Sequence, residues 1–200
     1  MNNLIKQSFY DWENISLTRV YFEKEDVFNL EIRFENIREA KFYNCRFTNV
    51  TFDNIYFGKV EFHNCEFLNS SFLECTLNKT DFYNCKFTNT SFFASKLQSF
   101  YFEDGIMQYS KIENTTLESS EFKNIRFLEN IHRKSEYKEI IFSYCEFNQD
   151  KMIDSYFKKC DLKSSHFHFI DINMDYFVSS TLSILNVIEL LGDKGIILED

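Results

Sequence analysis

The chain has 200 residues, enough to bury one continuous core, and it carries a net charge of −9 at pH 7. No apolar run is long enough to cross a membrane as a helix, so membrane contact is not expected. Residues 1–13 lack the apolar segment of a signal peptide, and we expect a cytoplasmic protein. An acidic chain without a basic stripe also argues against direct binding of nucleic acid.

An apolar residue recurs at nearly every fifth position from Trp12 to Leu182. This central register has 35 positions, of which only His132 is polar, and it holds 19 of the 25 phenylalanines. On an α-helix such residues would lie about 140° apart and scatter around the axis. Along a flat strand they would alternate between opposite faces. A chain that turns a corner once per five residues points them all at one axis, so the spacing predicts a solenoid.

A second register, two residues before the first, holds compact side chains. From Ala40 to Ser180 it has 29 positions, and 21 of them are Ala, Cys, Ser, Thr, Val or Gly. Alternation within a short strand points this residue inward too, where a narrow, densely packed core has room only for a compact neighbour.

Asparagine is frequent two residues after the central position. It tolerates the left-handed backbone conformation that some tight turns require, so we expect a corner there. These corner asparagines are Asn44, Asn49, Asn54, Asn64, Asn69, Asn84, Asn89, Asn114 and Asn124.

A longer period of 20 residues lies above the short one. The segment 42–49, FYNCRFTN, recurs at 82–89 as FYNCKFTN, and 62–69 reads FHNCEFLN. Four five-residue sides then make one coil, and residues 20 apart stack at a strand spacing of about 4.8 Å. Roughly eight such coils would give a rod on the order of 40 Å long.

This pattern resembles that of the pentapeptide-repeat proteins, whose units read small–polar–Leu/Phe–x–x. The resemblance is clear over residues 40–182 and loose over 12–39. It implies an all-β fold, a right-handed quadrilateral parallel β-helix of about eight coils with a short C-terminal helix as a cap. The motif is specific for this fold and much less specific for function, because one architecture hosts many activities.

Residues 1–39 are predicted to form an N-terminal cap with irregular first coils, ahead of the repeat over 40–182. The compact register fails in this segment, because Glu25 and Glu35 would point inward, where an unpaired carboxylate is costly. Phe28 and Phe34 suggest a local shift of frame.

Residues 128–140 interrupt the pattern with the sequence LENIHRKSEYKEI, which places His132 at a central position. Either one coil is malformed or a short charged loop bulges outward. The loop is favoured, because a buried histidine must find a hydrogen-bond partner. The register resumes in phase at Tyr137, so any insertion is a multiple of five residues.

Residues 183–200 are predicted to form a C-terminal helix and dimerisation segment. Apolar residues have helical spacing over 183–191, Ser183 is a plausible N-cap, and Gly192 could end the helix. Residues 195–198 then read as a short strand. An open solenoid end exposes core and unpaired backbone, so a cap is needed there.

This tail is similar to that of the Qnr and MfpA group of pentapeptide-repeat proteins, in which it joins two rods. The resemblance implies a homodimer, and a monomeric cap is the alternative. The implied interface residues are Ile184, Leu185, Val187, Ile188, Leu191, Ile196, Ile197 and Leu198.

The sequence contains no catalytic constellation, and we expect a non-enzymatic protein without cofactor or metal. His166 and His168 should both point outward, but a zinc site needs three or four converging ligands. All cysteines fall on the compact register, where reduced thiols would act as small apolar side chains. They are Cys45, Cys65, Cys75, Cys85, Cys145 and Cys160.

Several aromatic residues lie off both inward registers. Tyr43, His63 and Tyr83 are 20 residues apart and should stack in one column, and Tyr156 and Tyr176 in another. Such columns can simply stabilise adjacent coils, but exposed aromatic residues are also enriched in interfaces. The candidate partner-binding residues are Tyr43, Tyr83, Tyr156 and Tyr176.

The leading hypothesis is a rigid rod that binds a protein partner. The Qnr and MfpA resemblance implies a DNA mimic that binds DNA gyrase or topoisomerase IV and modulates quinolone sensitivity. Mimicry requires a continuous negative face, because the partner's site is built for phosphates. The 19 acids and 16 bases over residues 40–182 count against such a face. A structural or protein–protein interaction scaffold with an unknown partner is the alternative.

Overall fold

A computed structural model describes residues 4–6, 16–33 and 35–192 of the chain. These residues form a parallel β-solenoid of about eight turns that ends in one short helix. Nearly all strand pairs join residues 20 apart, as Phe42 lies beside Phe62 and Phe62 beside Phe82. The predicted all-β fold, the 20-residue coil and the C-terminal helix are therefore confirmed.

The first twelve strands are β1 Ile5–Lys6, β2 Ser16–Thr18, β3 Val20–Glu23, β4 Asp26–Ile32, β5 Asn36–Arg38, β6 Lys41–Tyr43, β7 Arg46–Asp53, β8 Tyr56–His63, β9 Glu66–Leu68, β10 Ser71–Leu73, β11 Thr76–Tyr83 and β12 Lys86–Thr88. The others are β13 Ser91–Phe93, β14 Lys96–Gln98, β15 Tyr101–Gln108, β16 Lys111–Glu113, β17 Thr116–Leu128, β18 Ile131–Arg133, β19 Glu136–Ser143, β20 Glu146–Asn148, β21 Lys151–Ile153, β22 Tyr156–Lys158, β23 His166–His168 and β24 Phe177–Val178. A 3-10 helix covers Met174–Tyr176, and the helix α1 covers Ile184–Gly192.

Each coil has four faces, which we name by the central residues of one coil. Face 1 holds Phe62, face 2 Phe67, face 3 Phe72 and face 4 Leu77, each together with the residues at multiples of 20 from it. All four central side chains are fully buried. Each side has five residues, of which the central and the compact one point inward and the other three face outward.

The central register forms the core, as predicted. Along each face the rings stack in parallel, with centroids 5.1 Å apart for Phe62 and Phe82 and 4.7 Å apart for Phe67 and Phe87. Across a corner they meet edge-on, as Phe62 and Phe67 do at 5.4 Å. Both arrangements are favourable for the quadrupoles of aromatic rings, so one ring can make favourable contacts with four neighbouring rings at once.

The compact register does more than leave room for the rings. The Ser95 hydroxyl donates to the Phe72 carbonyl at 3.1 Å and accepts from the Cys75 amide at 3.0 Å. Thr115 repeats this pattern one coil further on. A short hydroxyl or thiol thus binds backbone groups at the corners that would otherwise be buried without partners, which explains the preference for Ser, Thr and Cys.

All nine predicted corner asparagines have a left-handed backbone, with φ between 49° and 55°. Their side chains also join successive coils, as the Asn84 amide donates to the Asn64 carbonyl oxygen at 2.8 Å. The same conformation recurs at Lys59, Tyr144 and Phe169, where the side chain disfavours it. The stacked coil therefore imposes the corner, and asparagine eases it.

One large residue in the compact register is matched by a glycine nearby. Phe100 is buried and meets Phe122 edge-on at 5.0 Å. The Phe102 ring is turned 64° from Phe82 instead of stacking on it. A Cβ at Gly105 would lie 2.2 Å from this turned ring, so glycine is required there by packing.

The N-terminal segment is more regular than predicted. Ile32 is buried, and Phe28 between the central positions is exposed, so the predicted frame shift is wrong at Phe28. Glu35 is exposed and Glu25 half-buried, so neither carboxylate is buried in the core as the register predicted. The first turn is irregular, since Ile5 pairs with a residue only 15 further along. Trp12 and Phe34 lie outside the described residues.

Residues 128–140 form a regular coil, so both predicted alternatives, the charged loop and the malformed coil, are wrong. His132 is buried in β18, and its Nδ1 is hydrogen-bonded to the Tyr137 hydroxyl. Its Nε2 lies 3.9 Å from Asp150 Oδ1 and has no hydrogen-bond partner. The Asn130 backbone and side-chain amides both donate to Asp150 Oδ1 at 2.8 Å. Neighbouring sides and coils thus supply hydrogen-bond partners to His132 Nδ1 and to Asp150, whereas His132 Nε2 stays unpaired.

Candidate interaction surfaces

The C-terminal helix begins where the sequence predicts it. The Asn186 amide donates to the Ser183 hydroxyl at 3.1 Å, and the Ser183 amide donates to Asn186 Oδ1 at 2.8 Å. This reciprocal arrangement is that of a capping box, with asparagine in the place of the usual Glu or Gln. The Asn186 side chain also donates to the Ser165 carbonyl at 2.6 Å, which attaches the helix start to the last coil.

One side of α1 covers the end of the solenoid. Leu190 is buried in the core, and the Glu189 carboxylate accepts from the Phe167 amide at 3.0 Å and contacts His166 Nδ1 at 2.9 Å. These contacts provide partners for polar groups on the exposed edge of β23. The predicted cap is therefore present.

The other side of α1 is apolar and exposed. Of the predicted interface residues, Ile184 is 83% exposed, Leu185 50% and Ile188 45%. Val187 and Leu191 are half-buried. The remaining predicted interface residues lie outside the described part of the chain, and they are Ile196, Ile197 and Leu198.

The predicted aromatic column on face 1 is present. Tyr43 stacks on His63 with ring centroids 4.9 Å apart, and His63 stacks on Tyr83 at 4.8 Å. Tyr101 extends the column as a tilted ring, 5.9 Å from Tyr83. All four rings are half-buried, so each presents an edge to solvent.

Carboxylates flank this column. Glu61 accepts from Lys41 at 2.8 Å and contacts His63 Nε2 at 2.9 Å. Partial burial opposes ionisation, but these two hydrogen bonds outweigh it and lower the pKa of Glu61. Burial raises the pKa of Asp81, although its carboxylate accepts from the Tyr101 amide at 3.0 Å. The column is thus an aromatic strip with acidic edges.

Tyr156 and Tyr176 form a separate column on face 4, near the C-terminal end. Their rings meet edge-on at 5.0 Å, and the Lys158 amino group lies 5.7 Å from the Tyr156 ring centroid. The Tyr176 hydroxyl donates to Asp154 at 3.4 Å. The four tyrosines predicted as one surface therefore lie in two columns on adjacent faces.

Charge differs sharply among the faces. Among outward positions between residues 16 and 183, face 1 has seven carboxylates and four lysines, a net of −3. Face 2 has four acids and three bases, and face 3 has six and five, so each is −1. Face 4 has four acids and eight bases, a net of +4. This basic face was not predicted from the sequence, although sorting the charges by position within the 20-residue repeat reveals it.

The reactive residue types are arranged for packing. All six cysteines are free and buried, and burial raises the pKa of Cys145 to about 12 and that of Cys160 to about 11. The His166 and His168 rings are 6.4 Å apart. Within residues 4–6, 16–33 and 35–192, no group of three or more His, Cys, Asp or Glu could hold a metal ion, and no helix has the length and apolar character of a membrane span.

Residues 35–105 and 55–132 match the family described as the pentapeptide repeat region. The chain belongs to the pentapeptide-repeat family. Residues 103–187 also match the family of the SV2A/B/C luminal domain. No curated protein matches the chain.

Solved structures with a similar fold include two named pentapeptide-repeat proteins and a resistance protein. Trypsin-treated QnrB1, a plasmid-mediated fluoroquinolone resistance protein, is 17% identical with a TM-score of 0.41 over 92% of each chain. HetL, involved in heterocyst differentiation regulation in the cyanobacterium Nostoc, is 7% identical with a TM-score of 0.37 over 87% of each chain. Rfr23 from the cyanobacterium Cyanothece is 12% identical with a TM-score of 0.30, over 56% of this chain and 64% of that one. At these values the likeness carries no argument about function.

Proposed function

We propose that this pentapeptide-repeat chain is a non-enzymatic, cytoplasmic rod that binds a protein partner through its outer faces. The supporting observation is that each five-residue side places two residues in the core and three on the outer surface. In the described residues the core is filled with stacked rings, whereas small substrates usually occupy concave, apolar pockets. The six buried free thiols suit a reducing compartment.

The rod is proposed to be a homodimer joined through α1. Ile184, Leu185 and Ile188 form one exposed apolar face on a helix whose opposite side is already seated on the last coil. Contiguous exposed apolar residues mark interaction sites, and an identical helix from a second copy is a self-complementary cover.

The dimer is tested by sedimentation velocity of the full chain. We expect two copies per particle, and we expect Ile184→Glu with Ile188→Glu to give monomers, because charge at the interface core is costly. Ile141→Glu is the matched control, since Ile141 is 48% exposed on face 1, away from α1. A monomer in the unchanged protein, or dissociation by the control alone, contradicts the proposed interface.

The specific partner proposed is a type II topoisomerase, DNA gyrase or topoisomerase IV, with face 1 mimicking the charge of DNA. Asp81, Asp104 and Glu121 lie on successive coils of this face, and no lysine or arginine lies within 4.0 Å of them in the described residues. Negative charges repeated along a rod are what a phosphate-binding groove recognises. The sequence resemblance to the Qnr and MfpA group suggested this partner. The basic face 4 supports the scaffold alternative, because it departs from uniform DNA-like charge.

The topoisomerase proposal is tested by gyrase supercoiling with and without ciprofloxacin. Purified protein is expected to inhibit supercoiling, or to rescue it from the drug, at micromolar concentration. Asp81→Asn with Glu121→Gln should weaken the effect, and Glu129→Gln with Glu146→Gln on face 2 should not. If a large excess has no effect in either direction, the topoisomerase form is excluded and the scaffold form remains.

A further inference from the structure

The N-terminal half of face 4 concentrates positive charge in an acidic protein. We call this surface the basic strip, and it consists of Arg19, Arg38, Lys59, Lys79 and Lys96. All five side chains are exposed, and they follow one another along five neighbouring coils, a length of roughly 15–20 Å. In the C-terminal half of the same face each lysine has a carboxylate partner, as Lys138 has Glu118 at 2.6 Å. The basic strip has no such balance.

Arg38 is held in place by the ring of Tyr56 on the next coil. Its guanidinium carbon lies 4.7 Å from the Tyr56 ring centroid, a cation–π contact. The Tyr56 hydroxyl accepts from the Asn78 side-chain amide at 3.1 Å, which fixes the ring. The ring covers Gly58, where a Cβ would lie 2.6 Å from Tyr56 Cε1. Glycine at this position therefore lets Tyr56 lie flat beneath Arg38.

These residues surround a shallow depression of about 170 Å³, lined by Arg38, Lys59, Lys79 and the Tyr56 platform. Among the described residues, the one carboxylate lining it is Glu39, which already pairs with Arg19 at 3.0 Å and Lys59 at 3.9 Å.

Among the described residues, three cations of the strip have no carboxylate at ion-pair distance. No carboxylate lies within 4.0 Å of the side-chain nitrogens of Arg38, Lys79 or Lys96 in the described part of the chain. At this surface an anionic group would contact exposed cations, of which Arg38 is held by Tyr56, and the aromatic ring of Tyr56.

We propose that the basic strip binds an acidic polypeptide segment of the protein partner, an inference that rests on the proposed partner-binding function. The planar guanidinium fork of Arg38 matches a carboxylate in bidentate geometry, and Lys79 and Lys96 add point charges along the strip. A strip of this length accommodates about five or six residues of extended chain. The net charge of −9 and the acidic face 1 next to it oppose the long phosphate backbone of a nucleic acid.

The basic strip also orients the partner. A basic groove that recognises face 1 is repelled by face 4, whereas an acidic segment is attracted to face 4 and repelled by face 1. A partner carrying both features can dock in only one rotation about the rod axis, which is how complementary charges fix register in an interface.

The test measures binding of a fluorescent decapeptide of alternating Glu and Ser to the full chain by anisotropy, at about 50 mM salt, where surface charges are weakly screened. Binding is expected, and Arg38→Gln with Lys79→Gln should weaken it about tenfold. Lys134→Gln with Lys151→Gln on face 3 is the matched control and should leave the affinity unchanged. All four positions are exposed, and the melting temperature of each variant checks that folding is intact.

Two results overturn the inference. One is no binding of the acidic peptide, or equal loss in the face 3 control. The other is tighter binding of a decathymidylate strand that is lost in Arg38→Gln with Lys79→Gln, which would identify a nucleic-acid surface. If the peptide binds but the protein has no effect on supercoiling, the basic strip is supported and the topoisomerase proposal is excluded. If the protein affects supercoiling but does not bind the peptide, only the basic strip is excluded.

Discussion

The coils of residues 42–92 and the coil around His132 have the same backbone and different cores. In the first region phenylalanine rings stack along faces 1, 2 and 3, as Phe67 lies between Phe47 and Phe87 at 5.0 and 4.7 Å. In the second, His132 and Asp150 are fully buried within the same 20-residue pairing. This difference indicates that the corners and the parallel strand pairing determine the shape of the coil. The core chemistry is replaceable where polar groups find partners.

Removing one ring from the aromatic region should have the largest effect. Phe67→Ala is expected to lower the free energy of unfolding by about 3–5 kcal/mol, because the side chain is fully buried and a cavity remains. Chemical denaturation monitored by circular dichroism measures this change. Thr48→Ala, at an outward position of the same face, should change stability by less than about 0.5 kcal/mol. Similar values for the two variants would show that the rings are not the core.

The polar region should be nearly as sensitive to loss of a single partner. Asp150→Ala leaves the two Asn130 amide donors without their shared acceptor in a buried site. Each buried unsatisfied group costs about 1–3 kcal/mol, so we expect a loss of about 3 kcal/mol in the same denaturation experiment. Asp171→Ala on the surface is the control. A change of less than about 0.5 kcal/mol at Asp150 would contradict the assigned network.

Replacing the buried His132 and Tyr137 with phenylalanine should lower the free energy of unfolding least. Tyr137→Phe alone leaves His132 Nδ1 without its partner and should cost about 1–3 kcal/mol. Adding His132→Phe removes the unpaired group and should return stability to within about 1 kcal/mol of the unchanged protein. A double variant less stable than the single one would show that the histidine contributes beyond its bond to Tyr137.

The sequence was sufficient to predict the architecture, because the five-residue spacing is incompatible with a helix or a flat strand. Compact positions were predicted by size alone. Their hydrogen bonds, such as that from Ser95 to the Phe72 carbonyl, depend on which carbonyl the previous coil presents. The pairing of His132 with Tyr137 was not foreseen, since spacing places both inward without showing that their polar atoms meet. The basic strip was missed because charge was summed along the chain and not by face.

The most direct test of the account is a pair of internal deletions compared by thermal unfolding. Deleting residues 63–82 removes one whole coil and leaves every ring in register, so we predict a folded, cooperative rod that is one coil shorter. Deleting residues 65–82 removes two residues fewer and moves Tyr83 to a compact inward position, so we predict loss of the cooperative transition. Equal stability of the two deletions would contradict a solenoid with four five-residue sides per coil.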